Sequence, residues 1–301
     1  MLRRPAILAL LGLLACTPDD PGPTVPDPLP DPLPLYRVPV VVHVLHHGEP
    51  IGTGPNHDRA TVERQIQLLN DDFRRRPGTR GHNDHPAGAD ARIEFFLAST
   101  DPDGGPTQGV HRVDLGAVEN PIDPNHRFDH LAWYGYWDPN RYVNIWSVPY
   151  PEDVTGVFLG EATGPTTDLP GAEFLLPGEP AQAEGVAINA AHFGEHSSDS
   201  DYDLGRTLTH EMGHHLGLLH LWGGGNCETN DHCADTPAVD EPVSGCPGEV
   251  ILACTGEPAM TENYMTFSPD RCMYVFTVEQ VERMRYVLET SPYRLFEIGD
   301  G

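Results

Sequence analysis

Five residues spaced over one short run could do chemistry together: His210, Glu211, His214, Gly217 and His220, in His210-Glu211-Met212-Gly213-His214-His215-Leu216-Gly217-Leu218-Leu219-His220. On a helix, positions i and i+4 share a face, so His210 and His214 can turn their imidazoles toward one metal ion. Gly217 can adopt a left-handed backbone, end the helix and swing the chain round. That turn presents His220 as a third nitrogen ligand. Three nitrogen ligands suit zinc and leave a coordination position open, which separates a catalytic ion from a closed structural one. Glu211 stands beside the ligand face, where a carboxylate serves as general base toward a metal-activated water. The chemistry this pattern predicts is metal-assisted hydrolysis. The other histidines of this His-rich chain, such as His46, His47, His57 and His82, stand among polar or turn-forming residues and read as solvated.

Leu208, Met212, Leu216 and Leu219 recur at helical spacing, which predicts a helix over about 204–217 with one buried side. Upstream, Val38 to Leu45 is β-branched and reads as a strand, and Ala60 to Arg76 as an amphipathic helix burying Val62, Ile66, Leu69 and Phe73. Ala91 to Ala98, Tyr142 to Val148, Val154 to Ala162 and Gly185 to Ala190 read as further strands, with Val154 to Ala162 at the sheet edge beside the cleft. Residues 163–184 are rich in Gly and Pro and read as a long loop. Thr277 and Gln280 form a capping box that opens a last helix, with Val278, Val281, Met284 and Leu288 facing inward. Strands and helices before the zinc helix, and a loop-rich half after it, predict an α/β (α+β) domain split by a cleft.

The 301 residues suffice for a sizeable core, and a formal net charge of −27 argues against a nucleic-acid partner. All eighteen basic residues are arginine. At the start, Arg3 and Arg4 precede an apolar stretch from Ala6 to Ala15 that is too short to span a bilayer and fits a signal-peptide core. It ends Leu13-Leu14-Ala15-Cys16, which resembles the bacterial lipobox, so residues 1–16 read as a lipoprotein leader with Cys16 as lipidation site. The alternative is an ordinary secretory signal with a chance cysteine. Either reading exports the protein to the outer membrane, the cell surface or the medium, with Cys16 the one membrane attachment. Residues 17–35, rich in Pro and Asp, form a semi-rigid spacer, and residues 36–301 one domain. The remaining cysteines, Cys227, Cys233, Cys246, Cys254 and Cys272, all follow the histidine run. In an oxidising compartment they should pair, and their odd number leaves one over.

From Tyr36 to about Leu295 the chain resembles the pappalysin branch of the metzincin zinc proteases, with its ulilysin-like bacterial enzymes. The resemblance rests on Val-Pro-Val-Val-Val-His-Val, Gln-Ile-Gln-Leu-Leu-Asn-Asp-Asp-Phe-Arg, Gly-Arg-Thr-Leu-Thr-His-Glu, Ala-Asp-Thr-Pro, Asn-Tyr-Met-Thr-Phe-Ser-Pro-Asp-Arg-Cys and Phe-Thr-x-x-Gln, together with the histidine run. It implies a mixed sheet with active-site and backing helices above a cleft, and a disulfide-bonded C-terminal half. It implies Met265 as the Met-turn residue beneath the imidazoles, disulfides Cys227–Cys254 and Cys246–Cys272 with Cys233 unpaired, and a calcium site near Asp231 and Thr236. Calcium suits such oxygen ligands; the alternative is that both are solvated loop residues. In the family, the chain just after the Met-turn lines the pocket for the residue following the scissile bond. Arg271, in that segment, would favour an acidic or polar side chain there.

Two departures stand out. Relatives usually carry a tyrosine where this chain has Phe267, which offers no hydroxyl to a reacting carbonyl. Relatives also often carry a pro-segment, where here only the spacer precedes the first strand. The resulting expectation is a zinc metalloendopeptidase, acting on protein or peptide substrates with Glu211 as base. The rival is a surface zinc protein of weak or no activity with a binding or adhesion role, which Phe267 favours and the intact ligands and Glu211 oppose.

Overall fold

The computed structural model describes residues 33–119, 128–151, 158–176, 183–196, 200–248, 250–294, 296 and 298–299. The leader with Cys16 and nearly all of the spacer lie outside the described residues. Among the described residues no helix is long and apolar enough to cross a membrane.

Strand β1, Leu35–His46, is the spine of a seven-stranded mixed sheet. Its β-branched run favours extended backbone, and burial on both sides suits a mostly parallel sheet covered by other layers. On one edge β1 pairs in parallel first with β2, Ile93–Leu97, and then with β3, Val110–Asp114. On the other edge it pairs with β4, Val143–Val148, which pairs with β6, Gly185–Asn189. Strand β5, Gly160–Ala162, closes that side antiparallel to β6, and β7, Ile298–Gly299, adds a short antiparallel pair at the start of β1.

Alternate residues of β1 enter different layers. Val38, Val40, Val42 and Val44 pack with Val62, Ile66, Leu69 and Phe73 of helix α1, Arg59–Phe73. The same cluster takes in Leu208 and Met212 of helix α3, Arg206–His215, and Val281, Met284 and Leu288 of helix α4, Val278–Thr290. On the opposite face Leu45 and Trp146 pack against Phe128, Leu131 and Tyr134 of helix α2, Phe128–Tyr134.

Observed elements fall within the predicted spans to a few residues, apart from Val154 to Ala162, of which residues 154–157 lie outside the described residues. The sequence reading missed β3, α2 and β7. Strand β3, Val-His-Arg-Val-Asp, is half-buried throughout and shows no clean alternation, while α2 is seven residues rich in aromatics, short for a periodic signal. His46 and His57, read as solvated, are buried; His57 stacks on Phe193 with ring centroids 5.0 Å apart, and polar neighbours in sequence did not reveal that contact.

Candidate active site

Helix α3 presents the histidine run. Its apolar side enters the core through Leu208 and Met212, and its N-terminal end is joined to α1 by a buried pair, Arg206 Nη2 to Asp72 Oδ1 at 3.2 Å, with Thr209 donating to Asp72 Oδ2 at 2.7 Å. Its N-cap is Gly205, which offers no capping side chain. Asp270, distant in sequence, supplies one: Oδ2 accepts from the backbone N–H of Leu204 at 2.8 Å and of Arg206 at 3.2 Å. Gly217 has φ +91°, the left-handed turn expected of it. Arg283 of α4 fixes that turn by donating to the Gly217 carbonyl at 2.6 Å.

The turn brings the three ligand candidates together. The Nε2 atoms of His210, His214 and His220 lie 3.0–3.1 Å from one another. His210 Nδ1 is 2.6 Å from the Tyr264 carbonyl and His214 Nδ1 is 2.8 Å from the Leu218 carbonyl. A carbonyl only accepts, so in both rings Nδ1 carries the hydrogen and Nε2 presents its lone pair to the common centre. His220 stacks on Trp222, with centroids 4.3 Å apart and an interplanar angle of 10°. Burial lowers all three imidazoles, His210 to about 3 and His214 to about 4, which keeps the nitrogens free to bind a cation. Glu211 is buried beside them, and burial followed by the charge of Glu161 pushes its carboxyl up to about 8.

Met265 lies against α3: a Cβ placed on Gly213 would come within 2.6 Å of its sulfur. Phe267 is half-exposed, its ring 4.9 Å from that of His220 and 6.0 Å from that of His210. Tyr202, in this wall, donates its hydroxyl to the Phe267 carbonyl at 3.1 Å. Cys227 is joined to Cys254 and Cys246 to Cys272, with Cα separations of 5.8 and 5.1 Å, while Cys233 is free and buried. Thr236 Oγ1 donates to Asp231 Oδ1 at 2.7 Å, and the buried Asp231 Oδ2 has no hydrogen-bond partner among the described residues.

Two cavities flank the histidines. One, of about 390 Å³, is lined by Leu159, Tyr202, Thr207, Glu211, Phe267 and Asp270 among others. Arg271 is not in its wall; it forms an exposed ion pair with Asp201, and the charged residue that reaches the cavity from this segment is Asp270. Asp270 and Arg271 are the middle residues of a turn closed by the Cys272 N–H on the Pro269 carbonyl at 2.8 Å, and that turn sends Asp270 toward α3 and Arg271 to the surface. The second cavity, of about 270 Å³, lies along Glu161, Phe174, Leu176, His214, Leu219 and His220. The sequence reading had singled out neither Glu161 nor the capping role of Asp270.

The model of the family described as pregnancy-associated plasma protein-A, peptidase M43, matches residues 128–289. The chain belongs to this pappalysin family. An extracellular metalloprotease of Colletotrichum graminicola is 39% identical over 249 residues, covering 82% of this chain and 74% of the relative. Extracellular metalloprotease 1 of Coccidioides posadasii is 35% identical over 153 residues, 51% of each chain. Mature mirolysin of Tannerella forsythia, solved in complex with a cleaved peptide, superposes with a TM-score of 0.70 at 34% identity, covering 87% of this chain and 96% of that one. As a pappalysin the protein is a metalloendopeptidase, and the family implies zinc. The residues present fit that ion: tetrahedral bonds of about 2.0–2.1 Å to nitrogen would space the donor atoms about 3.3 Å apart, close to the separations observed here, and all three donors are buried with lone pairs converging.

Proposed function

We propose that this pappalysin is exported and cleaves peptide bonds in proteins, with His210, His214 and His220 as zinc ligands and Glu211 as general base. The observation that carries the reading is the convergence of three Nε2 lone pairs beside a buried carboxylate, in a cleft flanked by the edge strand β5. When bound, zinc supplies a Lewis acid to the scissile carbonyl and activates water. Glu211 accepts a proton from the attacking water and returns it to the departing nitrogen. The Tyr264 and Leu218 carbonyls hold two of the imidazoles in the metal-binding tautomer, and Met265 supports the helix beneath them.

The names of the relatives support export, and the Cys16 context supports a lipid tether. The unpartnered Asp231 oxygen supports a calcium ion near Asp231 and Thr236, where a hard cation would offset a buried carboxylate. For the residue after the scissile bond, Asp270 rather than Arg271 faces the cavity; its buried Oδ1 has no partner among the described residues, which favours a donor-bearing side chain over an acidic one.

Glu211→Gln tests the base. Its zinc content, measured by metal analysis, should equal that of wild type, while casein cleavage falls about 10²–10⁴-fold. Wild-type turnover by the Gln variant would end the assignment. Absence of chelator-sensitive cleavage by wild type would favour the binding-protein reading that the missing hydroxyl at Phe267 supports.

A further inference from the structure

Strand β5 offers a docking edge. The Asn189 N–H donates to the Leu159 carbonyl at 2.8 Å and the Thr163 N–H to the Gly185 carbonyl at 3.0 Å. Residues 159, 161 and 163 therefore direct their backbone groups at β6, and Gly160 and Ala162 direct theirs to the outer side, where no described strand pairs. An extended peptide can add there as one more strand. It would pass in front of the general base, because Gly160 packs so closely that a Cβ on it would lie 2.9 Å from Glu211 Cγ.

Between these two residues, Glu161 lines the cavity on the His214 and His220 side. Phe174, Leu175, Leu176 and Leu219 make the wall largely apolar; among the described residues Glu211 is the other carboxylate and no arginine lines it. Glu161 forms no ion pair among the described residues, and its Oε1 is buried without a hydrogen-bond partner among them. Leaving a buried carboxylate oxygen unsatisfied is costly, and a cationic partner relieves that cost. Apolar walls leading to a carboxylate match the methylene stem and charged head of arginine or lysine. The two cavities meet at Gly160, His210, Glu211 and Phe267; with the Asp270 cavity receiving the residue after the cut, as the family resemblance implies, the Glu161 cavity receives the residue before.

Resting on the peptidase reading above, we propose that Glu161 is a specificity determinant that selects arginine or lysine in the residue preceding the scissile bond. The expected partner is a positively charged peptide side chain; repulsion between Glu161 and an acidic side chain disfavours aspartate and glutamate there.

The test uses the full-length, zinc-loaded protein and peptides identical except at that residue, which is arginine, citrulline, leucine or glutamate, with the cut mapped by mass spectrometry. Wild type should cleave the arginine peptide with kcat/KM about tenfold or more above that of the near-isosteric citrulline peptide. In Glu161→Gln the ratio should collapse toward one, and in Glu161→Arg the glutamate peptide should overtake the arginine peptide. Product peptides ending in arginine should inhibit wild type more strongly than those ending in citrulline, a readout independent of turnover. A wild-type ratio near one overturns the proposal without any variant. So does a Gln variant that slows all four peptides by one factor, since Glu161 would then act through Glu211. Failure of wild type to cleave any peptide would bring down the peptidase reading as well, whereas cleavage blind to charge removes the role of Glu161 alone.

Discussion

The sheet half and the C-terminal half hold the same helix by different physics. From the sheet side, α3 is gripped along its length: Leu208 and Met212 are fully buried among the valines of β1 and the apolar face of α1. From the C-terminal side Met265 packs against Gly213 and the apolar face of α4 joins the same core, and charged groups hold the helix ends. The Asp270 carboxylate meets the N-terminal N–H groups, and two guanidinium groups meet the other end, Arg283 on the Gly217 carbonyl and Arg294 on the His215 carbonyl. An anion at the N-terminus and cations at the C-terminus complement the helix dipole. Apolar burial fixes where the helix lies, and the polar end contacts fix where it stops, which is what brings His220 beside His210 and His214. The two halves therefore share one apolar core around α3, and the C-terminal half adds the polar contacts that set its ends.

Removing part of the lengthwise grip should have the largest effect. Met212 is fully buried, and Met212→Ala leaves a cavity costing about 2–5 kcal/mol. Urea unfolding should show that loss as a lower midpoint with an unchanged slope. A loss below half a kilocalorie would mean that α3 is held mainly at its ends.

The halves also differ in their response to acid. In the sheet half His43 is fully buried, its Nδ1 3.0 Å from His111 Nδ1 and its Nε2 2.9 Å from Asn144 Oδ1. Burial lowers it from 6.5 to about 3. The unfolded chain protonates this residue first, so its contribution is whole above pH 6.5 and is lost as pH falls toward 3. In the C-terminal half, burial raises Asp270 from 3.8 to about 6. Here the folded state holds the proton longer, so its contribution is whole below pH 3.8 and declines as pH rises through 6. His43→Gln should flatten the acid limb of the stability profile, recovering about 1–3 kcal/mol near pH 4 relative to its own value at pH 8. Parallel profiles for the variant and wild type would place acid sensitivity elsewhere.

The same division explains what could be read from the sequence. The convergence of the three imidazoles was legible because they fall, with a carboxylate and a glycine, within one helix and one turn, where periodicity dictates which side chains meet. The core strands were legible because β-branched runs such as Val-Pro-Val-Val-Val-His-Val declare themselves. The remainder depends on partners remote in sequence or on the backbone. The Tyr264 carbonyl that orients His210 lies in the main chain, which no motif encodes. Asp270 and Arg271 are neighbours in a tight turn, and which of them faces the cavity is decided by that turn and by the backbone N–H groups of Leu204 and Arg206 that Asp270 meets, partners remote in sequence. Glu161 sits in the edge strand that the sequence predicts beside the cleft, but its importance comes from the cavity assembled around it by residues remote in sequence.

The finest test addresses the polar grip alone. Thr277 begins α4, the helix that carries Arg283, and forms the predicted capping box: its hydroxyl accepts from the Gln280 N–H, and Gln280 Oε1 accepts from the Thr277 N–H. The same hydroxyl donates to Asp235 Oδ1 at 2.7 Å, and the Glu279 N–H donates to Asp235 Oδ2 at 3.0 Å, tying α4 to the cysteine-bearing loop. Thr277→Ala removes the two hydrogen bonds of the hydroxyl while leaving the Glu279 N–H link and the core intact, and should cost about 1 kcal/mol. Thr277→Ser keeps the oxygen and should restore most of it. Amide exchange should quicken in the first turn of α4 and in the loop around Asp235, with the β1 amides unchanged, because a polar end contact opens locally whereas a core contact opens with the whole fold. Equal acceleration in β1 would show that the two halves unfold as one unit, and that the separation of their roles does not extend to their stability.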